Sequence, residues 1–381
     1  MIVCHAPVNE NHAPAHEKPP RIGHTRDFII LLQQQTLWLA SLMTPHPYSN
    51  LTPEAVMDAI ESLGYLCDAR IFALNSYENR VYQVGIDEQP PLIAKFYRPG
   101  RWSREAIQEE HDFLLELQQQ ELPVVAPLGE QATQHDTEPQ AQQTLFDHNE
   151  FMFALFPRRG GHAPELSNDD DLELLGRWLG RLHLIGEQQS FQHRPAIAGR
   201  QDLEHAAQQV LNSGLMPEDY RPAYTSLIAD LGNELAQHYD ASSLTNIRLH
   251  GDLHSGNLLL RDEELYLVDF DDCCSGPAMQ DIWMLLSGNR DEQQQQLQVI
   301  SEGYEMFRPF PAAELPLIES LRTLRIVRYA GWLAQRWQDP AFPQAFPWFT
   351  SHAFWSQHIL ALREQLAALR EPPLQIASFN C

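Results

Sequence analysis

Apolar residues are grouped differently in the two halves of the chain. Within 71–96, β-branched and aromatic side chains concentrate in two segments, 80–86 and 92–97, that are flanked by turn residues, which predicts short strands. Over 103–120 the apolar residues recur every three or four positions, which predicts a helix. A short apolar run at 151–156 predicts one more strand. We therefore expect the first half to fold as a small sheet with one main helix.

Helical periodicity dominates the chain after Gly161. Leucines recur at helical spacing over 172–184, and two longer stretches, 201–240 and 280–337, have the same periodicity. Between the two halves, the polar segment 129–150 predicts a mobile loop that joins two strands. This distribution predicts a mixed α+β protein whose second half is mainly helical.

The first clear helix signal comes some way into the chain. Thr52 is a capping residue, Pro53 suits the first helical position, and Val56 and Ile60 recur on one face. Residues 1–25 are rich in Pro, His and Asn and lack apolar periodicity, so we expect a disordered tail there. Residues 1–42 as a whole are expected to be disordered or to pack poorly. They are interpreted either as an extension or as the product of a misplaced start codon.

The chain is strongly acidic. Of its 381 residues, 26 are Lys or Arg and 51 are Asp or Glu, which gives a formal net charge of −25. Such a charge repels polyphosphate backbones, so we expect no nucleic-acid partner. It does not exclude a nucleotide, because a local lysine, backbone amides and a cation can neutralise a few phosphates at short range.

The cysteine pattern and the apolar runs predict a compartment. The five cysteines are Cys4, Cys67, Cys273, Cys274 and Cys381. Their number is odd and they lack C-x-x-C spacing, which indicates neither a disulfide framework nor a zinc knuckle and favours a reducing cytoplasm. The apolar run at 27–43 is interrupted by three glutamines, so we expect neither a signal peptide nor a membrane span. The expectation is a cytoplasmic monomer.

Three polar residues stand at a spacing that suits phosphoryl transfer. Asp252 and Asn257 are five positions apart in a glycine-containing segment, and Asp269 follows at the end of an apolar run. A carboxylate can orient or deprotonate an acceptor hydroxyl, which suits Asp252. Asn257 and Asp269 can supply the hard oxygen ligands that Mg²⁺ prefers. The alternative is a loop whose short polar side chains bind backbone amides.

A zinc site is the rival chemistry for the same segment. His250, Asp252 and His254 alternate, and with Asp269 they would resemble a hydrolase-type zinc site. A strand would align these three side chains, but the neighbouring glycines favour a loop. We therefore expect His250 to pack under the loop instead of binding a metal.

Other polar groups near this segment have two interpretations each. Asp271 and Asp272 are candidates to hold a second metal or to cap the residues that follow. Asp281 precedes an apolar helix and is expected to hydrogen-bond the backbone of the 250–257 loop, or to act as an ordinary N-terminal carboxylate. Over 321–337, arginines interleave with aromatic residues, which favours an amphipathic helix over a substrate-facing surface.

The candidate residues lie in two motifs, which are H-G-D-x-x-x-x-N at 250–257 and V-D-F-D at 268–271. These motifs resemble the catalytic and metal-binding loops of the aminoglycoside phosphotransferase and choline kinase group. These enzymes are relatives of protein kinases. The resemblance implies a bilobal protein kinase-like fold, with an antiparallel-sheet N-lobe over 43–156, a mainly helical C-lobe over 157–373 and a tail at 374–381. It also implies ATP as the co-substrate, with Mg²⁺.

The same resemblance implies a phosphate-binding set in the first half. Lys95 lies in an apolar strand and is expected to hold nucleotide phosphates, while Glu110 on the following helix pairs with it; Glu109 is the competitor. No Gly-x-Gly-x-x-Gly is present. Ser76, Asn79 and nearby backbone amides are the candidates to approach phosphate in its place.

Three longer strings, at 74–83, 95–99 and 339–343, resemble the bacterial stress response kinase A family over about 53–373. That resemblance implies a cytoplasmic serine/threonine protein kinase that supports survival under stress, acts on protein substrates and phosphorylates itself. Two alternatives stay open. One is a phosphotransferase for a small alcohol or amine, and the other is a nucleotide-binding regulator that has lost catalysis.

Overall fold

The computed structural model describes residues 46–129, 143–166, 168–240, 244–261 and 264–376. The predictions for residues 1–42 lie outside these ranges, as does most of the loop predicted at 129–150.

The first lobe is built on a five-stranded antiparallel sheet. Its strands are β1 (Cys67–Ala73), β2 (Arg80–Ile86), β3 (Gln89–Phe96), β4 (Phe146–His148) and β5 (Phe151–Pro157), in the spatial order β1-β2-β3-β5-β4. Strand β4 falls inside the segment predicted to be a loop, so that prediction was wrong at these three residues. A strand this short cannot produce a recognisable alternation. Its Phe146 pairs with Phe153 of β5, and both side chains are buried.

Two helices accompany the sheet. Helix α1 (Pro53–Glu61) begins after the predicted cap Thr52, whose Oγ1 accepts a hydrogen bond from the backbone N of Ala55 at 3.2 Å. Helix α2 (Arg104–Gln119) buries the apolar face that its periodicity predicted. That face comprises Ile107, Phe113, Leu114 and Leu117.

The second lobe is mainly helical. Its helices are α3 (Asp169–Gly186), α4 (Arg200–Ser213), α5 (Arg221–His238), α6 (Met279–Trp283), α7 (Arg290–Tyr304), α8 (Ile318–Arg336), α9 (Ala341–Ala345) and α10 (His352–Ala368). The helical stretch predicted at 280–337 is divided into α6, α7 and α8. One division has a local cause, since Gly288 has a φ of 81° and Asn289 forms a capping box at the start of α7.

Helices α3 and α7 pack with their backbones in close approach. A Cβ atom at Gly176 of α3 would overlap the carbonyl oxygen of Ile300, and one at Gly303 of α7 would overlap that of Glu173. Only glycine permits this separation, so these two positions set how closely α3 and α7 pack within the second lobe.

Two short antiparallel strand pairs hold the segments that carry the polar motifs. Strand β6 (Ile247–Leu249) pairs with β9 (Cys274–Gly276), and β7 (Leu258–Arg261) pairs with β8 (Glu264–Leu267). Residues 250–257 connect β6 to β7, while 268–273 connect β8 to β9. Because both ends of each connection are fixed by strand pairing, the two connections lie side by side.

The predicted α+β class, with a small antiparallel sheet and a larger helical lobe, is confirmed. None of the helices in the described ranges combines the length and the hydrophobicity that crossing a bilayer requires.

A buried histidine in the helical lobe leads to a prediction about acid stability. His358 of α10 lies among aromatic rings, and burial lowers its pKa from 6.5 to about 4. The unfolded chain therefore binds a proton that the folded protein excludes, so stability is lost as the pH falls from about 6.5 towards 4. Between pH 7 and pH 5, the free energy of unfolding should fall by about 2 kcal/mol more in the wild type than in His358→Phe. Denaturant unfolding at both pH values measures this difference.

The same substitution at the exposed His205 of α4 is the matched control, and it should leave the pH dependence unchanged. Equal pH dependence in His358→Phe and the wild type would contradict the prediction.

Candidate active site

The loop at 250–257 is held by a buried carboxylate of helix α6. Asp281 accepts hydrogen bonds from the backbone N of His250 through Oδ2 and from that of Gly251 through Oδ1, each at 2.8 Å. Gly251 has a φ of 85°, a conformation that glycine adopts without strain. The prediction that Asp281 binds this loop is confirmed. Its two bonds fix the direction in which the chain leaves β6 towards Asp252.

His250 packs beneath the loop, as expected. Its ring centroid lies 4.4 Å from that of Phe270, and its Nε2 lies 2.9 Å from the carbonyl oxygen of Val268. Its Nδ1 accepts a hydrogen bond from the backbone N of Asp252 at 3.3 Å. Both ring nitrogens are thus engaged with backbone. His250 therefore has no free ring nitrogen to offer a zinc ion in this arrangement.

The Asp252 carboxylate faces two basic side chains. Oδ1 forms an ion pair with Nη1 of Arg325 on α8, and Oδ2 lies 3.5 Å from Nε2 of His254. Burial opposes ionisation, but the neighbouring imidazole of His254 and the charge of Arg325 outweigh it and hold the pKa of Asp252 below its usual range. The carboxylate is therefore ionised at neutral pH, and its side chain keeps 21% exposure.

Asn257 and the chain before Asp269 are joined by hydrogen bonds. The backbone N of Val268 donates to the carbonyl oxygen of Asn257 at 3.0 Å. The Asn257 Nδ2 donates to the carbonyl oxygen of Asp252 at 2.9 Å, which leaves its Oδ1 as the atom that a cation could use. Asp269 has a φ of 65°, in the left-handed region that costs energy for a non-glycine residue. These contacts bring the segments of all three motif residues together.

Lys95 of β3 is buried and paired as expected. Its Nζ lies 2.9 Å from Oε1 of Glu110 on α2, and the second Glu110 oxygen accepts from Nη2 of Arg194 at 2.7 Å. Burial favours the neutral amine, but the charges of Asp271 and Glu110 outweigh it and raise the pKa of Lys95 well above its ordinary value. The competitor Glu109 accepts hydrogen bonds from backbone nitrogens at 192–194 instead.

Asp271 joins the lysine to the second lobe. Its Oδ1 lies 3.1 Å from the Lys95 Nζ and accepts from Nδ2 of Asn79 at 2.9 Å, while Oδ2 forms an ion pair with Arg101. Burial opposes ionisation of Asp271, but the charges of Arg101 and Lys95 outweigh it and lower the pKa. To serve as a second metal ligand, this carboxylate would have to leave cations that already neutralise it.

The segment between β1 and β2, which carries Ser76, is anchored to the second lobe. Glu78 accepts from Nε of Arg336 at 2.9 Å and from Nε1 of Trp332, both on α8. Asp339, just after α8, accepts from Nη2 of Arg98 at 2.7 Å. Ser76 itself is half-buried, and its hydroxyl forms no hydrogen bond within the described ranges.

Comparison with known proteins identifies the family. The model of the phosphotransferase enzyme family, APH, matches residues 70–316. The chain belongs to this family. It is 42% identical over 329 residues to stress response kinase A of Escherichia coli (strain K12), an alignment that covers 86% of this chain and 97% of that protein. The serine/threonine protein kinase RdoA of Salmonella typhimurium (strain LT2) matches with the same identity and coverage.

These matches confirm the resemblance to the stress response kinase A family and show that the chain is an ATP-dependent phosphotransferase. Among solved structures, amicoumacin kinase hAmiN in complex with AMP-PNP, Ca²⁺ and Ami has a TM-score of 0.62 at 18% identity and covers 92% of this chain and 98% of its own. That likeness confirms the bilobal kinase-like fold.

The three strings that resemble stress response kinase A meet in one place in this phosphotransferase. Arg80 from the first string and Arg98 from the second both pair with Asp339 from the third, at 3.2 and 2.7 Å. Tyr77 of the first string packs on Phe346, with ring centroids 4.9 Å apart. The strings therefore form an interlobe contact beside Ser76, a role that their separation in the sequence conceals.

Two side chains at the site, Arg101 and Arg194, were not among the predicted residues. A third, Arg325, lies on the helix over 321–337 for which a substrate-facing surface was the less favoured interpretation, and it contacts Asp252. An arginine has no periodic or spacing signal that would assign it to a carboxylate far away in the chain. Only the expectation that a buried carboxylate needs a cationic partner could have prompted a search for them.

The Asp339 contact predicts a loss of stability. Asp339→Asn leaves the guanidinium groups of Arg80 and Arg98 without their shared carboxylate in a buried setting. We expect the free energy of unfolding to fall by about 3 kcal/mol, because removing a buried partner of two arginines leaves Arg98 with Glu78 alone, 3.0 Å from its Nε, and leaves Arg80 without a carboxylate among the described residues. Thermal and denaturant unfolding measure the effect. Asp291→Asn, at an exposed position of α7, is the control, and equal stability of the two variants would contradict the prediction.

Proposed function

We propose that this phosphotransferase is a serine/threonine protein kinase of a bacterial stress response, which uses ATP and Mg²⁺ and acts on proteins in the cytoplasm, including itself. The observation that carries the proposal is the 42% identity, over 97% of their length, to proteins named stress response kinase A and serine/threonine protein kinase RdoA. The site supports catalysis in particular. Lys95, Glu110, Asp252, Asn257 and Asp269 are all present, which argues against a regulator without activity.

ATP is proposed to bind between an N-lobe over 43–156 and a C-lobe over 157–373, with 374–381 as a tail. Lys95 would hold the α- and β-phosphates, because its ammonium group is charged and oriented by Glu110. Ser76 would approach the phosphates from a segment whose neighbours are fixed to α8. In this proposal, a segment that is held in place through Glu78 takes the position of the glycine-rich loop that is absent from this sequence.

The donor set fits Mg²⁺. Asn257 offers Oδ1 because its Nδ2 is bonded to backbone, and Asp269 offers a carboxylate, so both ligands are hard oxygens. The thiols that follow, Cys273 and Cys274, are buried, and burial raises the pKa of each, so they remain protonated and unsuited to a cation. Held by these two residues, the cation would supply neutralisation of the nucleotide's phosphate charge.

Asp252 is proposed to act on the acceptor. The hydroxyl oxygen of a serine or threonine attacks the γ-phosphorus, the bond from that phosphorus to the bridging oxygen breaks, and ADP leaves with the electron pair. The Asp252 carboxylate accepts the hydrogen bond of the hydroxyl and then its proton. A carboxylate with a lowered pKa is a weak base, so orientation of the hydroxyl is its main contribution before the late proton transfer.

Acceptor profiling tests the proposal. The purified protein is incubated with γ-labelled ATP, Mg²⁺ and a bacterial cell extract, and the labelled species are separated by size and hydrolysed for phosphoamino acid analysis. Phosphoserine or phosphothreonine in proteins, including this chain, is the expected result. Label found only in a small molecule would replace the protein-kinase proposal with the small-alcohol or amine alternative.

A further inference from the structure

The acceptor side of the candidate site carries arginine side chains. Arg325 and Arg328 are three positions apart on α8, so they lie on one face of the helix. Arg325 contacts the Asp252 carboxylate and keeps 30% exposure, and Arg328 is exposed. A hydroxyl that reaches Asp252 must pass beside the first of these groups.

Among the described residues, neither guanidinium group has a carboxylate partner outside the candidate site. The partner of Arg325 is Asp252, and its Nη1 also lies 3.8 Å from Sδ of Met284. Arg328 forms no ion pair with the described residues, although its charge acts on Asp272 and Cys274 of the segment after Asp269. Arg322, one turn earlier, differs because Glu319 lies 3.3 Å from its Nε.

We propose that Arg325 and Arg328 form an anion subsite that selects acceptor segments with a carboxylate or phosphate group next to the serine or threonine. The inference rests on the proposed protein-kinase function and specifies its substrate class. An acceptor anion takes the remaining guanidinium donors of Arg325 and draws this side chain away from Asp252, which uncovers the carboxylate for the hydroxyl. Recognition of the flanking anion and access to Asp252 are thereby coupled.

The charge distribution argues against a cationic acceptor. In a protein with a net charge of −25, a partly exposed arginine on the Asp252 carboxylate, with an exposed arginine three positions further along the same helix, is a local exception to the overall field. A lysine-rich segment or a polyamine placed at Asp252 would lie beside the Arg325 guanidinium group, and like charges at close range oppose binding. An acidic segment would be repelled at long range, but this repulsion is screened at physiological salt while contact pairs persist.

The test compares synthetic peptides that hold one serine in an alanine and glycine background. The flanking positions carry glutamate, phosphoserine, glutamine or lysine, and kcat and KM are measured with the full chain, ATP and Mg²⁺. We expect kcat/KM for the glutamate and phosphoserine peptides to exceed that for glutamine about tenfold, and lysine to be the poorest. Comparison of the glutamate peptide with the phosphoserine peptide shows whether the subsite prefers a carboxylate or a phosphate group.

Variants assign the preference to the two arginines. Arg325→Gln and Arg328→Gln should each reduce the ratio of kcat/KM for glutamate over glutamine peptides, and Arg325→Lys should restore part of it. The ratio does not depend on the fraction of folded enzyme, so a structural defect alone leaves it unchanged. Arg363→Gln removes an exposed arginine from α10 and should retain the wild-type ratio.

The outcomes separate the inference from the function on which it rests. Equal use of all peptides, a preference for lysine, or a ratio that survives both substitutions overturns the anion subsite while leaving a protein kinase. Label on no peptide, with label on a small alcohol in the extract, overturns the protein-kinase proposal and the subsite together.

Discussion

Asp252→Ala is expected to reduce phosphotransfer about 1,000-fold while ATP still binds, because the carboxylate that orients the acceptor hydroxyl is removed and the phosphate-binding groups remain. In the structure Asp252 contacts Arg325 and His254, whereas Lys95 is held by Glu110 and Asp271. The acceptor and nucleotide groups therefore have separate partners. Single-turnover transfer with labelled ATP measures the loss, and calorimetric titration measures nucleotide binding.

A matched control guards against a general defect. Asp230→Ala removes an exposed carboxylate from α5, outside the site, and should retain wild-type turnover. The assignment of Asp252 as the group that acts on the hydroxyl would be refuted by wild-type turnover of the Asp252→Ala protein.

Asp269→Asn should reduce turnover about 100-fold and raise the Mg²⁺ concentration that ATP binding requires. The substitution replaces a charged oxygen ligand by a neutral one and so weakens the attraction for the cation. Asparagine tolerates the φ of 65° at this position, so the backbone should not be strained further. Titrations of ATP at several Mg²⁺ concentrations measure the shift, with circular dichroism as the check on folding.

The two substitutions are distinguishable. The loss of turnover in Asp252→Ala should be the same at every Mg²⁺ concentration. In Asp269→Asn, the loss of turnover should become smaller as the Mg²⁺ concentration increases. An unchanged Mg²⁺ dependence in Asp269→Asn would remove Asp269 from the metal site. The same result would leave the Asp252 assignment intact, because that residue is proposed to contact the hydroxyl and not the cation.

Local patterns in the sequence were sufficient for most of the first lobe and for the motif residues. The strand that carries Lys95 and the helix that carries Glu110 were predicted from their own periodicities, and the pairing of the two followed from the family resemblance. Asp252 and Asn257 share one connection between paired strands, so their proximity is set by a few intervening residues. Short elements such as β4 were missed because three residues do not establish a period.

The partners of these residues required the packed structure. Arg325 and Asp252 are 73 positions apart, Arg194 and Glu110 are 84 apart, and Asn79 and Asp271 are 192 apart. Periodicity and motif spacing report which face of an element is buried and which groups share a turn, since those properties depend on neighbouring positions. Which arginine neutralises which carboxylate depends on how the two lobes and α8 pack against one another, and no local pattern contains that information.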